Sequence, residues 1–538
     1  MNPTEQSLTE FIDSHVAVVS ELYKKLCLVY FEASISGKVE DYDEVSRLEI
    51  ALEKVYTSRE EFAKIKEFIA SWSVGDPLLK RQLEILFLSY QGSQADEKKL
   101  EAIIHLQTQI EKKFATFRAE VQGKKCTDNE IKKILTDSKS SNEVQEARLA
   151  SKTVSNEVAD DVIKIVKMRN EIARELWYRN YHDMHLTLGE QDPKDISALF
   201  EELDVLTRDA FIAEKKNIDA YLAKKFQISE EELMPRHYED RFFQEAPKIY
   251  PIDLNSYYHG KDVVELAKKY YTSIGFSIDS ILTRSDLYEK EGKSQHAYCL
   301  HDKLGDVRIL ANIKDNGYWM NTQLHELWHA VYDKHLDYEH TPYLLRDAAH
   351  TFVTEAIAML FGRFSSHPQW IQDVVGIGDE EKNKITESCI ATLRLEQLVV
   401  SRRMQVMYHF EKRLYDNPDQ DLNALWRDLV EKYQMLKRPA WRNAPDWASK
   451  IHITSSPCYY HNYLLGEVLA SQLYYHIVWN VLKSSEYTMQ SFYNKPEVGE
   501  YLKKHVFTHA NKYHWSTMIE MSTGEKLTAK RYAKQFIG

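Results

Sequence analysis

Apolar residues recur at helical spacing along most of the chain. The segment 192–211 shows the pattern most clearly, and the apolar residues on one face of the helix that it predicts are Ile196, Leu199, Phe200, Leu203, Leu206 and Ala210. Asp192 and Pro193 supply an N-cap and a first helical position there. We therefore expect successive helices between about residues 7 and 228, and we expect Ser7 and Glu10 to form a capping box that opens the first helix.

A β-favouring pattern occupies one short region, SQHAYCLHDKLGDVRILANIK, at residues 294–314. Turn-forming residues between Lys303 and Asp306 separate two runs of branched and aromatic residues, which predicts a small hairpin directly before the next helix. The segment 234–255 contains three prolines and several aromatic residues. We expect it to be an irregular connection packed against the core, where a lobe boundary could fall.

Composition supports a mainly α fold. Only 17 glycines and 13 prolines among 538 residues leave few turn formers for a protein of many short strands. A chain of this length exceeds what one compact core usually fills, so we expect an elongated helical body. The two predicted lobes of this continuous domain are residues 1–230, which include lid helices, and residues 231–538, which carry the candidate chemistry.

Charge and cysteine content limit the classes of partner. The net charge is −12 and no dense block of Lys and Arg is present, which argues against nucleic acid as a partner. The five cysteines are widely spaced, the N-terminal stretch is acidic, and no apolar run approaches the roughly 20 residues that span a bilayer. We expect a cytoplasmic protein with no membrane association and no obligatory protein partner.

The stretch HELWH places His325 and His329 four residues apart with Glu326 between them. On a helix both imidazoles would lie on one face and could bind one Zn²⁺, with the glutamate leaning over the same site. The ordinary alternative is a pair of histidines on a half-exposed helix. Apolar neighbours such as Leu324 and Leu327 favour the metal, since burying these groups without a partner is unfavourable.

Catalytic zinc sites commonly use three protein ligands. The segment HTFVTEAIAMLFGR supplies a candidate third ligand, Glu355, inside an apolar helical run. An unpaired glutamate is rarely buried, so its place there favours ligation over a structural role. We predict that His325, His329 and Glu355 bind one Zn²⁺ per chain and that Glu326 is the catalytic base.

A second signature, KIHITSSPCYYHNYLLGEVLASQL, begins at Lys450. Together with HELWH and the TEA-type Glu355, it resembles the zinc peptidases of the angiotensin-converting enzyme family, gluzincins that are related to thimet oligopeptidase and the oligoendopeptidases. The resemblance covers about residues 244–472. It implies a two-lobed helical fold with a deep central cleft and a small β-hairpin beside the zinc helix.

The resemblance also implies roles for residues of the second signature. Tyr463 would hydrogen-bond the tetrahedral oxyanion, and His452 would contact the intermediate or the substrate backbone. Tyr460 and Lys450 would grip the C-terminal carboxylate of a substrate. Taken singly, the two tyrosines could be core aromatics on a helix face and the lysine a solvated charge.

Two further substrate-binding positions follow from the resemblance. His296 would belong to the strand that pairs with the peptide, although a lone histidine there is more often an ordinary strand residue. Gln244 would complete the carboxylate pocket. Both stay expectations that depend on the family pattern.

The chain departs from the family pattern at four positions. Trp328 stands where the family usually has glycine, which would narrow or reshape the wall beside the metal. Met359 replaces an acidic residue one turn after the ligand glutamate, so the sequence does not identify the group that orients a zinc imidazole. Asn462 replaces the chloride-binding arginine of the animal enzymes, and Gln295 replaces a disulfide cysteine.

These observations predict a zinc-dependent metallopeptidase that hydrolyses short unstructured peptides. A carboxylate anchor at a fixed distance from the zinc would make it a dipeptidyl carboxypeptidase, which releases C-terminal dipeptides. An oligoendopeptidase and a single-residue metallocarboxypeptidase are alternatives with the same metal site. A catalytically impaired peptide-binding homologue is the alternative outside the enzymes.

Overall fold

A computed structural model describes residues 2–250 and 252–536, and most of them lie in helices, which confirms the mainly α prediction. The helices before the central irregular segment are α1 (Pro3–Ser36), α2 (Val39–Tyr56), α3 (Arg59–Ala70), α4 (Pro77–Gly92), α5 (Glu97–Thr116), α6 (Asp128–Asp137), α7 (Ser141–Lys152), α8 (Val154–Glu175), α9 (Tyr181–Leu188) and α10 (Pro193–Phe226). Those after it are α11 (Asn255–Tyr258), α12 (Val263–Ser273), α13 (Asp279–Leu282), α14 (Gly317–Lys334), α15 (Thr351–Gly362), α16 (Pro368–Trp370), α17 (Asp379–Asp416), α18 (Leu422–Gln434), α19 (His452–Ser455), α20 (His461–His476), α21 (Pro496–His505), α22 (Trp515–Thr523) and α23 (Ala529–Lys534).

Two small antiparallel hairpins are the only sheets in the described part of the chain. Strands β3 (Tyr298–His301) and β4 (Val307–Leu310) pair with Tyr298 opposite Leu310, which confirms the predicted hairpin before α14. Strands β1 (Ala119–Val121) and β2 (Lys124–Cys126) form the other hairpin. It was not predicted, because strands of three residues are too short to show an alternating pattern.

Helix caps explain where two of the long helices begin. Asp192 caps α10 through the backbone N–H groups of Lys194 and Asp195, as the sequence predicts. The prediction for the first helix was wrong: α1 begins at Pro3, and its capping box is formed by Asn2 and Glu5 rather than by Ser7 and Glu10. Proline at the first helical position fixes the backbone one turn earlier than expected.

The chain forms two compact units, and each is built from separated stretches. Unit 1 comprises Met1–Gln94, Ile252–Ile390 and Leu465–Tyr532, and unit 2 comprises Ala95–Pro251, Ala391–Leu464 and Ala533–Gly538. Their boundaries differ from the predicted lobes 1–230 and 231–538, because the first helices pack with the segment that carries HELWH. One boundary falls within the irregular segment 234–255.

In unit 1 an apolar layer lies beneath helix α14. Trp328 is completely buried there and stacks on Phe361 at 3.8 Å between ring centroids, with Tyr271 at 5.0 Å. The indole therefore belongs to the core. The expectation that Trp328 would reshape the wall beside the metal is not met.

Unit 1 has a further apolar cluster, formed by α1, α3, α4 and the segment after α14. Its buried members are Leu8, Ile12, Val19, Ile65, Leu79, Leu83, Leu86, Tyr90, Tyr343 and Leu344. Burial of this face attaches the N-terminal helices to the rest of the unit.

Unit 2 has its own core around α10 and α17. Phe211, Ile218 and Leu222 from α10 are buried in one cluster with Leu395 and Val399. The hairpin β1–β2 packs against the same cluster through its inward residues. This core supports the irregular segment that carries one of the predicted binding residues.

None of the helices described is both long enough and apolar enough to cross a membrane.

Candidate metal centre

Helix α14 brings the HELWH side chains together. Asn316 caps the helix by accepting a hydrogen bond from the Trp319 backbone N–H at 2.9 Å, and the four-residue spacing then brings the two imidazoles together, edge to face. The Nε2 atoms of His325 and His329 lie 3.2 Å apart. Both histidines and Glu326 are half-buried on the wall of a cavity of about 480 Å³.

Helix α15 supplies the third candidate ligand. Oε2 of Glu355 lies 3.6 Å from Nε2 of His325, and ligand atoms of the three residues all lie within 4.8 Å of one another. Ligands about 2.0–2.1 Å from a tetrahedral zinc are separated by roughly 3.3 Å. The spacing therefore fits a metal ion held by His325, His329 and Glu355.

A threonine orients one of the imidazoles. Nδ1 of His329 lies 2.7 Å from Oγ1 of Thr354, which leaves Nε2 directed toward the other candidate ligands. Metal-binding histidines commonly use their second nitrogen in this way. The sequence analysis missed Thr354, although it directly precedes Glu355.

Burial keeps the two histidines neutral. It lowers the pKa of His325 to about 4, and burial together with the neighbouring His325 lowers the pKa of His329 to about 3. A neutral imidazole has a free lone pair, which a metal requires. The histidines are therefore ready to act as ligands at neutral pH.

In the absence of a cation, burial disfavours the ionised form of both glutamates, Glu326 and Glu355. Burial, with a smaller contribution from Glu355, raises the pKa of Glu326 to about 8 against an opposing hydrogen bond with the Cys299 backbone. Burial, with a smaller contribution from Glu467, raises the pKa of Glu355 to about 7. A divalent cation at the centre would offset this repulsion and favour both carboxylates.

Met359, which stands where the family has an acidic residue, packs its thioether against α20. A Cβ atom on Gly466 of α20 would lie 3.2 Å from Sδ of Met359 and 3.5 Å from Cβ of Glu355. The thioether thus fills the space between α15 and α20 behind the candidate ligand. Near it, Arg363 forms an ion pair with Glu467.

The remaining cavity wall comes from the hairpin and from the loop before α15. Lining residues outside the candidate ligands and Glu326 are Ala297, Tyr298, Cys299, His301, Asp333, Asp347, Ala348, Thr351 and Thr354. His296 directly precedes this group but is exposed and lies in a bend before β3. Its predicted role in binding a peptide stays a prediction.

Unit 2 gathers most of the other predicted residues. Nζ of Lys450 donates a hydrogen bond to Oε1 of Gln244 at 2.8 Å and lies 5.2 Å from the centroid of the Tyr460 ring. The Tyr460 ring in turn contacts His452 at 5.2 Å and Tyr463 at 5.6 Å between centroids. Gln244, predicted only from the family resemblance, is therefore adjacent to Lys450.

Two histidines four apart on one helix and a glutamate from another, within a mainly α fold, are the ligand set of a gluzincin-type zinc peptidase. The sequence profile of Peptidase M2, described as angiotensin-converting enzyme, matches residues 2–237 and 248–536, and the chain belongs to this family of zinc metallopeptidases. The resemblance recognised from the sequence is thereby confirmed. A comparison with curated proteins gave no match.

Proposed function

We propose that the protein is a zinc-dependent peptidase that releases dipeptides from the C-terminus of short unstructured peptides. The observation that carries the peptidase assignment is the convergence of His325, His329 and Glu355 beside Glu326. When bound, zinc supplies Lewis-acid chemistry that activates water and polarises the scissile carbonyl. The family to which the chain belongs supports the same chemistry.

Glu326 would act as the general base and then as the general acid. Its carboxylate accepts a proton from the attacking water and passes it to the leaving amine. Tyr463, by the family resemblance, would donate a hydrogen bond to the developing oxyanion, and His452 would contact the same intermediate. Removal of one such oxyanion donor lowers turnover by roughly 10²–10³ in comparable sites.

The proposed carboxylate anchor is supported by the surroundings of Lys450. Its side chain is buried, and its ammonium group has a neutral amide partner, Gln244, but no carboxylate partner among the described residues. Together they border a cavity of about 390 Å³. A buried cation without an anion favours binding of a substrate carboxylate, with Tyr460 as a further donor.

We also propose that the protein works in a reducing compartment, the cytoplasm. All five cysteines are free thiols, and disulfides are rare in proteins of that compartment. Fractionation of cells that express a tagged chain would test this, since recovery in a membrane-enclosed oxidising compartment would contradict it.

Metal content and product analysis test the proposed function together. Purified wild type and Glu355→Ala would be compared by mass spectrometry for zinc, with Glu339→Ala as a control because Glu339 is exposed and outside the cavity. We expect about one zinc per chain, lost only in Glu355→Ala. Absence of zinc from the wild type would show that His325, His329 and Glu355 do not form a zinc site, which would contradict the proposal.

Cleavage of one short peptide with a free and with an amidated C-terminus distinguishes the types of peptidase. Stepwise release of dipeptides from the free form supports the proposal. Equal cleavage of both forms would favour an oligoendopeptidase, and release of single residues a metallocarboxypeptidase. Bound zinc without any cleavage would favour the peptide-binding alternative.

A further inference from the structure

Arg403 is a buried cation in unit 2 that none of the sequence motifs includes. It lies on α17 with 0% of its surface exposed. Its guanidinium carbon sits 4.7 Å from the centroid of the Phe242 ring and 4.9 Å from that of Trp426. Contacts with aromatic faces stabilise the charge in part but supply no counter-ion.

The neighbouring residue on the same helix, Arg402, is a buried arginine whose charge is balanced by a carboxylate of the protein. Arg402, also buried, forms an ion pair with Asp204 and donates to Oγ1 of Thr207 at 2.6 Å. Arg403 instead donates to Sδ of Met407 at 3.0 Å, and its Nε and Nη1 atoms have no hydrogen-bond partner in the described structure. An uncompensated buried charge is strongly unfavourable, so its presence requires an explanation.

Other cations surround the same phenylalanine ring. Nζ of Lys450 lies 5.3 Å and Nζ of Lys152 lies 3.9 Å from the centroid of Phe242. Lys152 is 1% exposed, and its hydrogen bond is a 3.4 Å contact with the Ser449 hydroxyl. Three buried basic side chains therefore share one small region of unit 2, where burial lowers the pKa of Lys152 well below its usual value.

The nearby carboxylate of Asp240 does not pair with these cations. It accepts hydrogen bonds from the backbone N–H groups of Phe242 and Gln244, both at 2.9 Å. Asp240 forms no ion pair with Arg403, Lys450 or Lys152 within 4.0 Å in the described structure. None of the three basic groups thus has a carboxylate partner among the described residues, and a bound anion would supply one.

Arg403 also acts on the proposed anchor tyrosine. Burial raises the pKa of Tyr460, while the nearby positive charge of Arg403 opposes that rise. A cation beside a phenol favours a more polar hydroxyl, which suits donation of a hydrogen bond to an anionic ligand. The positive charge of Arg403 therefore acts on the anchor group from the protein core.

We infer that Arg403 is a positioning residue for recognition of the substrate's C-terminal carboxylate, because it adds positive potential beside Lys450 and Tyr460, the groups proposed to anchor that carboxylate. This inference rests on the proposed carboxylate anchor. It also explains why this arginine, unlike Arg402, has no carboxylate of the protein as its partner.

The test measures discrimination between a peptide with a free C-terminus and its amide, as the ratio of the two kcat/KM values. In Arg403→Met, a neutral side chain of similar length, we expect the ratio to fall by about tenfold to a hundredfold, mainly through KM of the free peptide. Arg403→Lys keeps the charge and should recover part of the ratio. Arg403→Gln provides a second neutral variant.

Arg402→Met is the matched control, since it removes the adjacent buried arginine and one of the two ion pairs of Asp204, the other being with Arg208. We expect a lower Tm for this variant and an unchanged ratio. A wild-type ratio in Arg403→Met or Arg403→Gln would overturn the inference. So would failure of both neutral variants to fold while Arg403→Lys discriminates fully, since that result assigns a purely structural role.

The same experiment separates the inference from the function on which it rests. If the wild type cleaves the free peptide and its amide equally well, the carboxylate anchor itself fails and the inference fails with it. If the wild type discriminates and the neutral variants do so equally, only the role of Arg403 is wrong.

Discussion

The hydroxyl of Thr354 lies 2.7 Å from Nδ1 of His329, so the group that orients one candidate zinc ligand directly precedes another ligand, Glu355. One turn of α15 therefore supplies both the candidate ligand Glu355 and the Thr354 hydroxyl that orients the candidate ligand His329. In a metal site, such a supporting contact fixes the tautomer and the direction of the imidazole.

Replacing this hydroxyl should weaken metal binding without removing a ligand. For Thr354→Val we expect zinc affinity to fall by about 10- to 100-fold, because supporting contacts of this kind have effects of that size. Competition with a fluorescent chelator would measure it. Thr351→Val, on the same helix and cavity wall, is the control, and equal affinity of both variants would contradict the supporting role.

Glu326→Gln should separate metal binding from turnover. The amide keeps the size of the side chain but cannot accept a proton, and general-base catalysis typically contributes about 10²–10⁴ in rate. We expect kcat to fall by at least that factor while zinc content stays at the wild-type level. Substantial remaining turnover would show that another group accepts the proton.

Recognition of the C-terminus should depend on pH through Lys450. Burial, aided by the charge of Arg403, lowers the pKa of Lys450 to about 7. The ammonium form exists below that pH and is lost as the pH rises, so KM for a peptide with a free carboxylate should increase above about pH 7, by up to tenfold per pH unit. KM for the amidated peptide should change much less over the same range.

A variant without the Lys450 ammonium group tests this pH dependence. Lys450→Met should remove the difference in pH dependence between the two peptides. A variant that keeps the wild-type profile would assign the titration to another group.

Gly499 should be intolerant of any side chain. A Cβ atom at this position on α21 would lie 1.9 Å from the carbonyl oxygen of Ile274, within the same unit. We expect Gly499→Ala to destabilise the protein by about 1–3 kcal/mol or more, because buried backbone must move. Thermal unfolding would measure it as a lower Tm.

Gly378 is the natural comparison, since a Cβ atom there has nothing within 4 Å. Gly378→Ala should change stability by no more than about 0.5 kcal/mol. Equal Tm values for the two alanine variants would mean that the contact with Ile274 relaxes without strain.

The candidate ligands could be predicted from the sequence because the pattern that identifies them lies within short segments of the chain. His325 and His329 lie one helical turn apart, and Glu355 is conspicuous as a carboxylate in an apolar run. The hairpin β3–β4 was also predicted, since its branched residues flank a turn that contains Gly305 at φ 104°. These features depend on neighbours in the chain.

Features that depend on packing were not predictable in the same way. Thr354 supports His329 only because of the way α14 lies against α15. Arg402 and Arg403 are indistinguishable in the sequence and both lie against aromatic rings, yet among the described residues only Arg402 has an aspartate partner. The direction of Trp328 into the core likewise follows from tertiary contacts with Phe361.

Unit 1 is interleaved along the chain, and this determines when it can form during synthesis. Its first stretch ends at Gln94 and its last begins at Leu465, so at a translation rate of 5–20 residues per second roughly 20 to 75 seconds separate their emergence from the ribosome. During that time the apolar faces of α1, α3 and α4 lack part of their final surroundings. Gly466, which packs behind Glu355, arrives only with the last stretch, so the packing behind this candidate ligand is completed late in the synthesis of the chain.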